Sequence, residues 1–195
     1  MGLKGQKTKT TYLDWNEMLV LLSKMERDME FRFLLLFAIG SYTALRYGDL
    51  SKLKWSDLRG RDKMVIVEGK TQKERVIHIN QHLSEIIERM YRKMEIAQED
   101  ELVFANKEGN KPVNIQYVNR RLKQIAVKYR LQIEPEGVST HMFRKTLGRR
   151  VWEVNNYSEK SLILLGNLFN HSSVKITKAY LGIREKEIGD LYLSL

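Results

Sequence analysis

Four polar side chains stand in three short stretches: Arg46 in TALRYGDL (43–50), His141 and Arg144 in HMFR (141–144), and Tyr180 closing FNHSSVKITKAY (169–180). Together they supply a nucleophile, an acid/base and two cations able to clamp a phosphate. A guanidinium presents planar paired donors that fit phosphate oxygens. An imidazole exchanges a proton near neutral pH, and an activated phenolic oxygen can attack an electrophile.

Spacing decides whether these groups can meet. His141 and Arg144 are three residues apart and share one face of a helix, although HxxR alone is far more often a surface pair of no consequence. His171 and Tyr180, nine residues apart, would point to opposite sides of one continuous helix. Ser172 and Ser173 are good N-cap residues, so a break there would start a new helix and turn Tyr180 towards His171. The bland alternative is an amphipathic core tyrosine. Arg46 ends a very apolar stretch, where a charge must reach the surface or a partner. Asp49 can hold its guanidinium, or the two form an ordinary surface pair. Lys70 lies at the mouth of a turn from which an ammonium group can reach into a cleft, though most turn lysines are simply solvated. His78 and His82 are better explained by a strand end running into a helix start than by a metal pair.

The elements that must position these groups follow from periodicity. Asp14 followed by Glu17 resembles a capping box opening a helix that buries Met18, Leu19 and Leu22. Residues 29–44 are apolar all round and predict a helix at the centre of the core. Gly48 and Asp49–Leu53 look like a short further helix. Met64–Val67 and Arg75–Ile79, rich in β-branched residues, flank a polar turn at Glu68–Glu74 and predict an antiparallel hairpin. Helices resume at about 81–97, 114–130, 140–154, 159–169 and 173–181, and the tail places Ile188, Leu191, Tyr192 and Leu195 at helical spacing. The fold class expected is α+β and mainly helical, with a small antiparallel β-sheet near residues 63–79.

Composition narrows the partners. The chain has 195 residues, enough for one substantial core, and no cysteine, so disulfide frameworks and thiolate metal sites are excluded. The longest apolar run, Phe33–Ile39, is too short to span a bilayer, and no membrane partner is expected. The net charge is +10. Between Gly109 and Arg184 stand 14 Lys or Arg against four acids, while the remainder carries 20 of each sign. The whole excess therefore lies in one part of the chain, as expected for a surface facing a polyanion.

Taken jointly, the motifs resemble the catalytic domain of the tyrosine recombinases, the phage integrase family. TALRYGDLSKLKWSDL is similar to the segment around the family's first catalytic arginine, and GKTQKERVIHI to its β-hairpin with the catalytic lysine. HMFRKTLG resembles its HxxR box, and FNHSSVKITKAYLGI its second histidine and tyrosine, with the nine-residue interval kept. The resemblance runs from about Tyr12 to Ile183. Ala44 stands where Gly is usual, Asp49 where Glu is usual, Asn170 where Gly is usual, and Lys145 where many members have His. None of these changes removes a reactive group.

The resemblance implies the fold of the DNA breaking-rejoining enzymes and site-specific recombination (integration or excision) through a 3′-phosphotyrosyl intermediate, with no metal, ATP or other cofactor. It assigns Tyr180 as nucleophile, Arg46 and Arg144 as phosphate clamps, Lys70 as general acid, His141 as the group managing the tyrosine proton, and His171 as a phosphate hydrogen-bond donor. Asp49 would orient Arg46. Arg120, Arg121, Lys123, Lys128 and Lys145 are the expected DNA contacts. It further implies double-stranded DNA as partner, a homo-oligomer (tetramer) on DNA, accessory DNA-bending proteins and a cytoplasmic location. Residues 1–12 read as a basic linker or arm and 13–195 as the catalytic domain. Relatives usually carry an N-terminal core-binding domain that closes a clamp, and the resemblance here starts where the linker from one would end. Three alternatives stay open: a non-catalytic DNA-binding protein, a type IB topoisomerase-like relaxer, and a helix-turn-helix regulator.

Overall fold

The computed structural model of the chain describes residues 11–106, 108, 109, 111–183 and 192–195. Most of the expected basic arm, with Ile188 and Leu191 of the apolar tail, lies outside the described residues. Tyr192 and Leu195 are exposed.

Helix α1 (Trp15–Arg27) opens on the Asp14 side chain, which accepts the Asn16 and Glu17 N–H groups. The reciprocal half of the expected capping box is not made: Glu17 instead accepts the Gln132 N–H at 2.8 Å, tying α1 to a loop far along the chain. Helix α2 (Phe31–Thr43) buries Leu34 to Ile39 without interruption. Each such large apolar side chain stabilises the fold by about 1.5–3 kcal/mol when removed from water, so α2 is the axis on which the others assemble. Helices α1, α5 (Gln81–Lys93) and α7 (His141–Val154) pack directly against it.

Glycine makes the closest of these approaches possible. A Cβ on Gly40 would stand 2.7 Å from a ring carbon of Phe143, so α2 and α7 touch only because that atom is absent. On the other side of α7, a Cβ on Gly148 would lie 2.5 Å from Leu181.

After α2 come two single-turn helices, α3 (Tyr47–Leu50) and α4 (Trp55–Leu58). The second is absent from the sequence reading because four residues show no periodicity; it forms because Trp55 is fully buried. Strands β1 (Lys63–Val67) and β2 (Glu74–His78) pair antiparallel with Val65 opposite Val76. Met64 and Ile77 face the core while Val65, Val67 and Val76 face out. Helix α5 stops short of the predicted boundary, capped at Met94. Helix α6 (Ile115–Lys128) starts on the Asn114 side chain. Helices α8 (Glu159–Phe169) and α9 (Val174–Leu181) close the chain path.

The apolar interior is divided. The main cluster gathers α1, α2, α5 and α6 with Met142 and Phe143 of α7. A smaller cluster joins Ala44, Trp152, Leu162, Leu165, Phe169, Leu181 and Ile183. Helix α7 belongs to both, and its first turn emerges at the boundary between them.

Candidate active site

The boundary between the two clusters is an open cleft of about 450 Å³, lined by Arg46, Lys70, Thr71, Lys73, His141, Arg144, Phe169, Asn170, His171 and Tyr180. Four separate stretches of sequence thus deliver all six expected reactive side chains to one wall-to-wall space. A more apolar groove of about 350 Å³ beside α2 and α6 contains none of the six.

Arg46 reaches the cleft because α2 ends abruptly. Ala44 adopts a left-handed conformation (φ 52°, ψ 31°), and Arg46 follows as the extended N-cap of α3. The chain turns a corner there, and the guanidinium is thrown outward. Its nearest anion is Glu68, with Arg46 Nη1 donating to Glu68 Oε2 at 2.8 Å. Asp49, expected to hold Arg46, does something else: its Oδ1 accepts the Gly69 N–H at 2.8 Å and so anchors the hairpin turn. The reason is geometric, since α3 directs the Asp49 side chain towards the turn while Glu68 comes up beneath Arg46.

His141 and Arg144 sit on the first turn of α7, where the helix macrodipole adds partial positive charge to the cleft. Arg144 is 3% exposed and donates to the Ala44 carbonyl. Its guanidinium also lies 5.0 Å from the Phe169 ring centre. His141 stands open at the cleft mouth; partial desolvation by the surrounding protein, followed by the charges of Arg144, Arg46, Lys70 and Lys145, pushes its imidazole below the ordinary value. His141 is therefore neutral at pH 7 and able to accept a proton.

The sequence reading of a helix break is borne out. Helix α8 ends on Asn170, which takes the left-handed cap conformation (φ 58°, ψ 49°), and Ser173 caps α9 by accepting the Ile176 N–H. The break returns Tyr180 to His171, their ring centres 5.1 Å apart. Phe169 completes a three-ring cluster, 5.4 Å from Tyr180 and 5.5 Å from His171. His171 Nδ1 lies 3.2 Å from the buried Thr177 hydroxyl. Burial, then Arg144 and Arg46, lowers its imidazole as well.

Tyr180 Oη is buried, and the group within its reach is the Arg144 guanidinium. Burial raises its phenol above the ordinary value, and the Arg144 charge and hydrogen bond, with the Arg46 charge, oppose that rise. The hydroxyl is thus held protonated beside two guanidinium groups.

Lys70 is exposed on the hairpin turn and Lys73 from the same turn donates to Asn170 Oδ1 across the cleft at 3.3 Å. Sequence reasoning missed Glu68, Lys73 and Phe169. In the chain Glu68 and Lys73 look like solvated turn charges, and Phe169 like one more core aromatic.

The expected DNA contacts divide. Lys145 stands by the cleft, its Nζ 5.4 Å from the Tyr180 ring centre. Lys123 is exposed, and Arg120 lies over Tyr117 at 5.6 Å. Arg121 and Lys128 are engaged within the fold: Arg121 pairs with Glu30 at 3.3 Å, and Lys128 with Asp28 at 3.2 Å and Glu30 at 3.3 Å. Among the described residues no three His, Cys, Asp or Glu gather as a metal-holding group. His82 instead meets the Tyr42 hydroxyl through Nδ1 at 2.5 Å. No described helix is long and apolar enough to cross a membrane.

Comparison with known proteins gives the family and the fold. The family model described as the phage integrase family matches residues 11–187. A probable integrase/recombinase, YoeC, of Bacillus subtilis (strain 168) is 33% identical over 165 residues, covering 85% of this chain and 82% of the relative. Tyrosine recombinase XerC of Xanthomonas axonopodis pv. citri (strain 306) is 27% identical over 150 residues, and the match spans only 46% of that protein. Among solved structures, the XerA recombinase superposes with a TM-score of 0.69 at 19% identity, over 94% of this chain and 64% of that one. The XerH site-specific recombinase bound to palindromic difH substrate in a post-cleavage complex gives a TM-score of 0.67 at 18% identity, over 94% and 53%. At these identities the structural likeness establishes the fold.

Proposed function

Because the chain belongs to the phage integrase family, we propose that it cleaves and rejoins DNA strands in site-specific recombination, with Tyr180 as the attacking group. The observation supporting this reading is the convergence of Arg46, Lys70, His141, Arg144, His171 and Tyr180 on one cleft.

In this mechanism Tyr180 Oη attacks the scissile phosphorus and a new phosphorus–oxygen bond forms to the 3′ side. The bond to the 5′-oxygen breaks, and that oxygen takes a proton from Lys70. The phenolic proton passes to neutral His141. Arg46 and Arg144 balance the charge gathering on the non-bridging oxygens, each contributing on the order of 3 kcal/mol to the transition state. His171 donates to the phosphate. The phosphoester energy is kept in the tyrosyl link, so attack by a new 5′-hydroxyl rejoins the strand without ATP. Every proton in this cycle is handled by a side chain already lining the cleft.

Duplex DNA is the substrate, gripped through Lys145, Arg120 and Lys123 along α6 and α7. Residues 13–195 act as the catalytic domain, operating as an oligomer, a tetramer in the full reaction, on DNA in the cytoplasm. Integration or excision of a mobile element, aided by DNA-bending proteins, is the outcome this reading favours.

The test is a nicked suicide duplex, in which the short cleaved fragment diffuses away and traps the intermediate. The chain is expected to form a covalent adduct in the presence of a metal chelator and without ATP. Absence of any adduct, with DNA binding intact, would leave a non-catalytic DNA-binding protein.

A further inference from the structure

A carboxylate to which the sequence motifs give no part, Glu68, stands directly behind Arg46, which lines the cleft. It is 5% exposed, immediately after β1. Its backbone closes the turn that carries Lys70: the N–H donates to the Lys73 carbonyl at 3.0 Å, and the carbonyl accepts the Gln72 N–H at 2.8 Å. Its side chain serves three partners. Oε2 accepts from Arg46 Nη1 at 2.8 Å and from the Thr71 hydroxyl at 3.0 Å, while Oε1 accepts from Arg75 Nη1 at 3.3 Å. Arg75 in turn donates through Nη2 to the Thr43 carbonyl at 2.6 Å, at the end of α2.

We propose that Glu68 is a positioning residue that fixes the Arg46 guanidinium in the cleft and sets its distance from the Lys70 turn. This rests on the reading of the cleft as a strand-cleavage site. One carboxylate lies between two guanidinium groups, Arg46 and Arg75, that would otherwise repel each other. It simultaneously grips Thr71, the residue after Lys70. The arginine that clamps the phosphate and the lysine that protonates the leaving oxygen come from segments more than twenty residues apart in sequence; Asp49 ties the two through the Gly69 N–H, and Glu68 ties the Lys70 turn to the Arg46 guanidinium itself. A buried carboxylate with three donors has no freedom to swing away when DNA binds, which distinguishes it from a transient competitor for Arg46. Burial alone would raise its carboxyl; hydrogen bonds from Thr71, Arg46 and Arg75 hold it below the ordinary carboxylate value. It therefore stays charged wherever the protein is folded near neutral pH.

Glu68→Gln keeps the shape but turns one acceptor into a donor facing a cation. On the nicked duplex, single-turnover adduct formation is expected to fall about a hundredfold, as for a reacting group misplaced by roughly 1 Å, with DNA affinity changed less than about threefold. In an Arg46→Ala background the same substitution is expected to cost much less, because most of its effect passes through Arg46 and only the hold on Thr71 remains; a merely structural role would be additive. Should Glu68→Gln fold poorly, Glu68→Asp retains the charge while retracting it from Arg46, and is expected to slow adduct formation as well.

A readout independent of cleavage is the ¹⁵N-resolved guanidinium signal of Arg46 in the DNA-free protein. Restricted rotation in the wild type is expected to give way to averaging in Glu68→Gln. Unchanged Arg46 signals, or wild-type adduct formation by either variant, would overturn the proposal. If the Arg46 signals respond while the wild type forms no adduct, the positioning contact stands and the strand-cleavage reading falls.

Discussion

Arg144, on the first turn of α7, donates to the backbone carbonyl of Ala44, a residue held in the left-handed conformation where α2 ends. One proposed phosphate clamp is thus seated on the backbone corner that projects the other, Arg46, so the position of one guanidinium is tied to the turn that carries the second.

That corner carries strain. An alanine at φ 52° places its Cβ close to the following carbonyl. Ala44→Gly is expected to relieve about 1 kcal/mol of strain, offset by the added entropy of the unfolded chain and by the loss of a fully buried methyl from the smaller cluster. Urea or thermal unfolding should show a net change smaller than about 1 kcal/mol. Adduct formation should be retained, since no contact of Arg144 involves the Ala44 side chain.

Removing the Tyr180 hydroxyl should separate chemistry from stability. Because Oη is buried beside the Arg144 guanidinium, Tyr180→Phe removes only that polar contact and is expected to change stability by no more than about 1.5 kcal/mol. Adduct formation should vanish and DNA affinity remain. A much larger loss of stability would mean that the hydroxyl is chiefly a structural anchor for α9.

The cleft imidazoles set a pH signature. Burial and nearby cations depress both His141 and His171, so below the unfolded value of about 6.5 the unfolded chain binds protons first. Stability is retained above that value and erodes as pH falls through the imidazole range. Proton NMR titration of the DNA-free protein is expected to place both midpoints below 6.5; a midpoint above it would contradict the assignment.

Helix α9 carries Tyr180 and leans on Gly148. A Cβ there would meet Leu181 at 2.5 Å and the Phe169 ring at 3.1 Å. Gly148→Ala is expected to cost about 1–3 kcal/mol by overpacking. By shifting α9 it should also slow adduct formation more than it weakens DNA binding, which single-turnover cleavage and titration would compare.

Most of the fold was legible because its signals are local. The period-2 alternation at 63–79 and the serine pair before α9 each specify structure within a few residues. The reactive groups were legible as types. What the chain could not display was pairing at long range. Asp49 looked like the partner of Arg46 because it is three residues away, yet Glu68 holds that place because the hairpin folds beneath the α2–α3 corner. Arg121 and Lys128 likewise looked like DNA contacts until the acidic corner before α2 closed on them.

That last difference has a measurable consequence. Lys123→Ala should reduce the slope of log affinity against log salt by about 0.9, the value for one lost phosphate contact. Arg121→Ala should change it less, since Glu30 already offsets that charge. Equal slopes for the two variants would show that DNA displaces Glu30.

The central claim is that the Tyr180 oxygen becomes bonded to a 3′-phosphate. Its most direct measurement is mass spectrometry of the adduct trapped on a nicked duplex, after digestion of both protein and DNA. A nucleotide joined through its 3′-phosphate to the peptide containing Tyr180 is expected, with a 5′-hydroxyl on the released strand. A link to another residue, or to a 5′-phosphate, would contradict it.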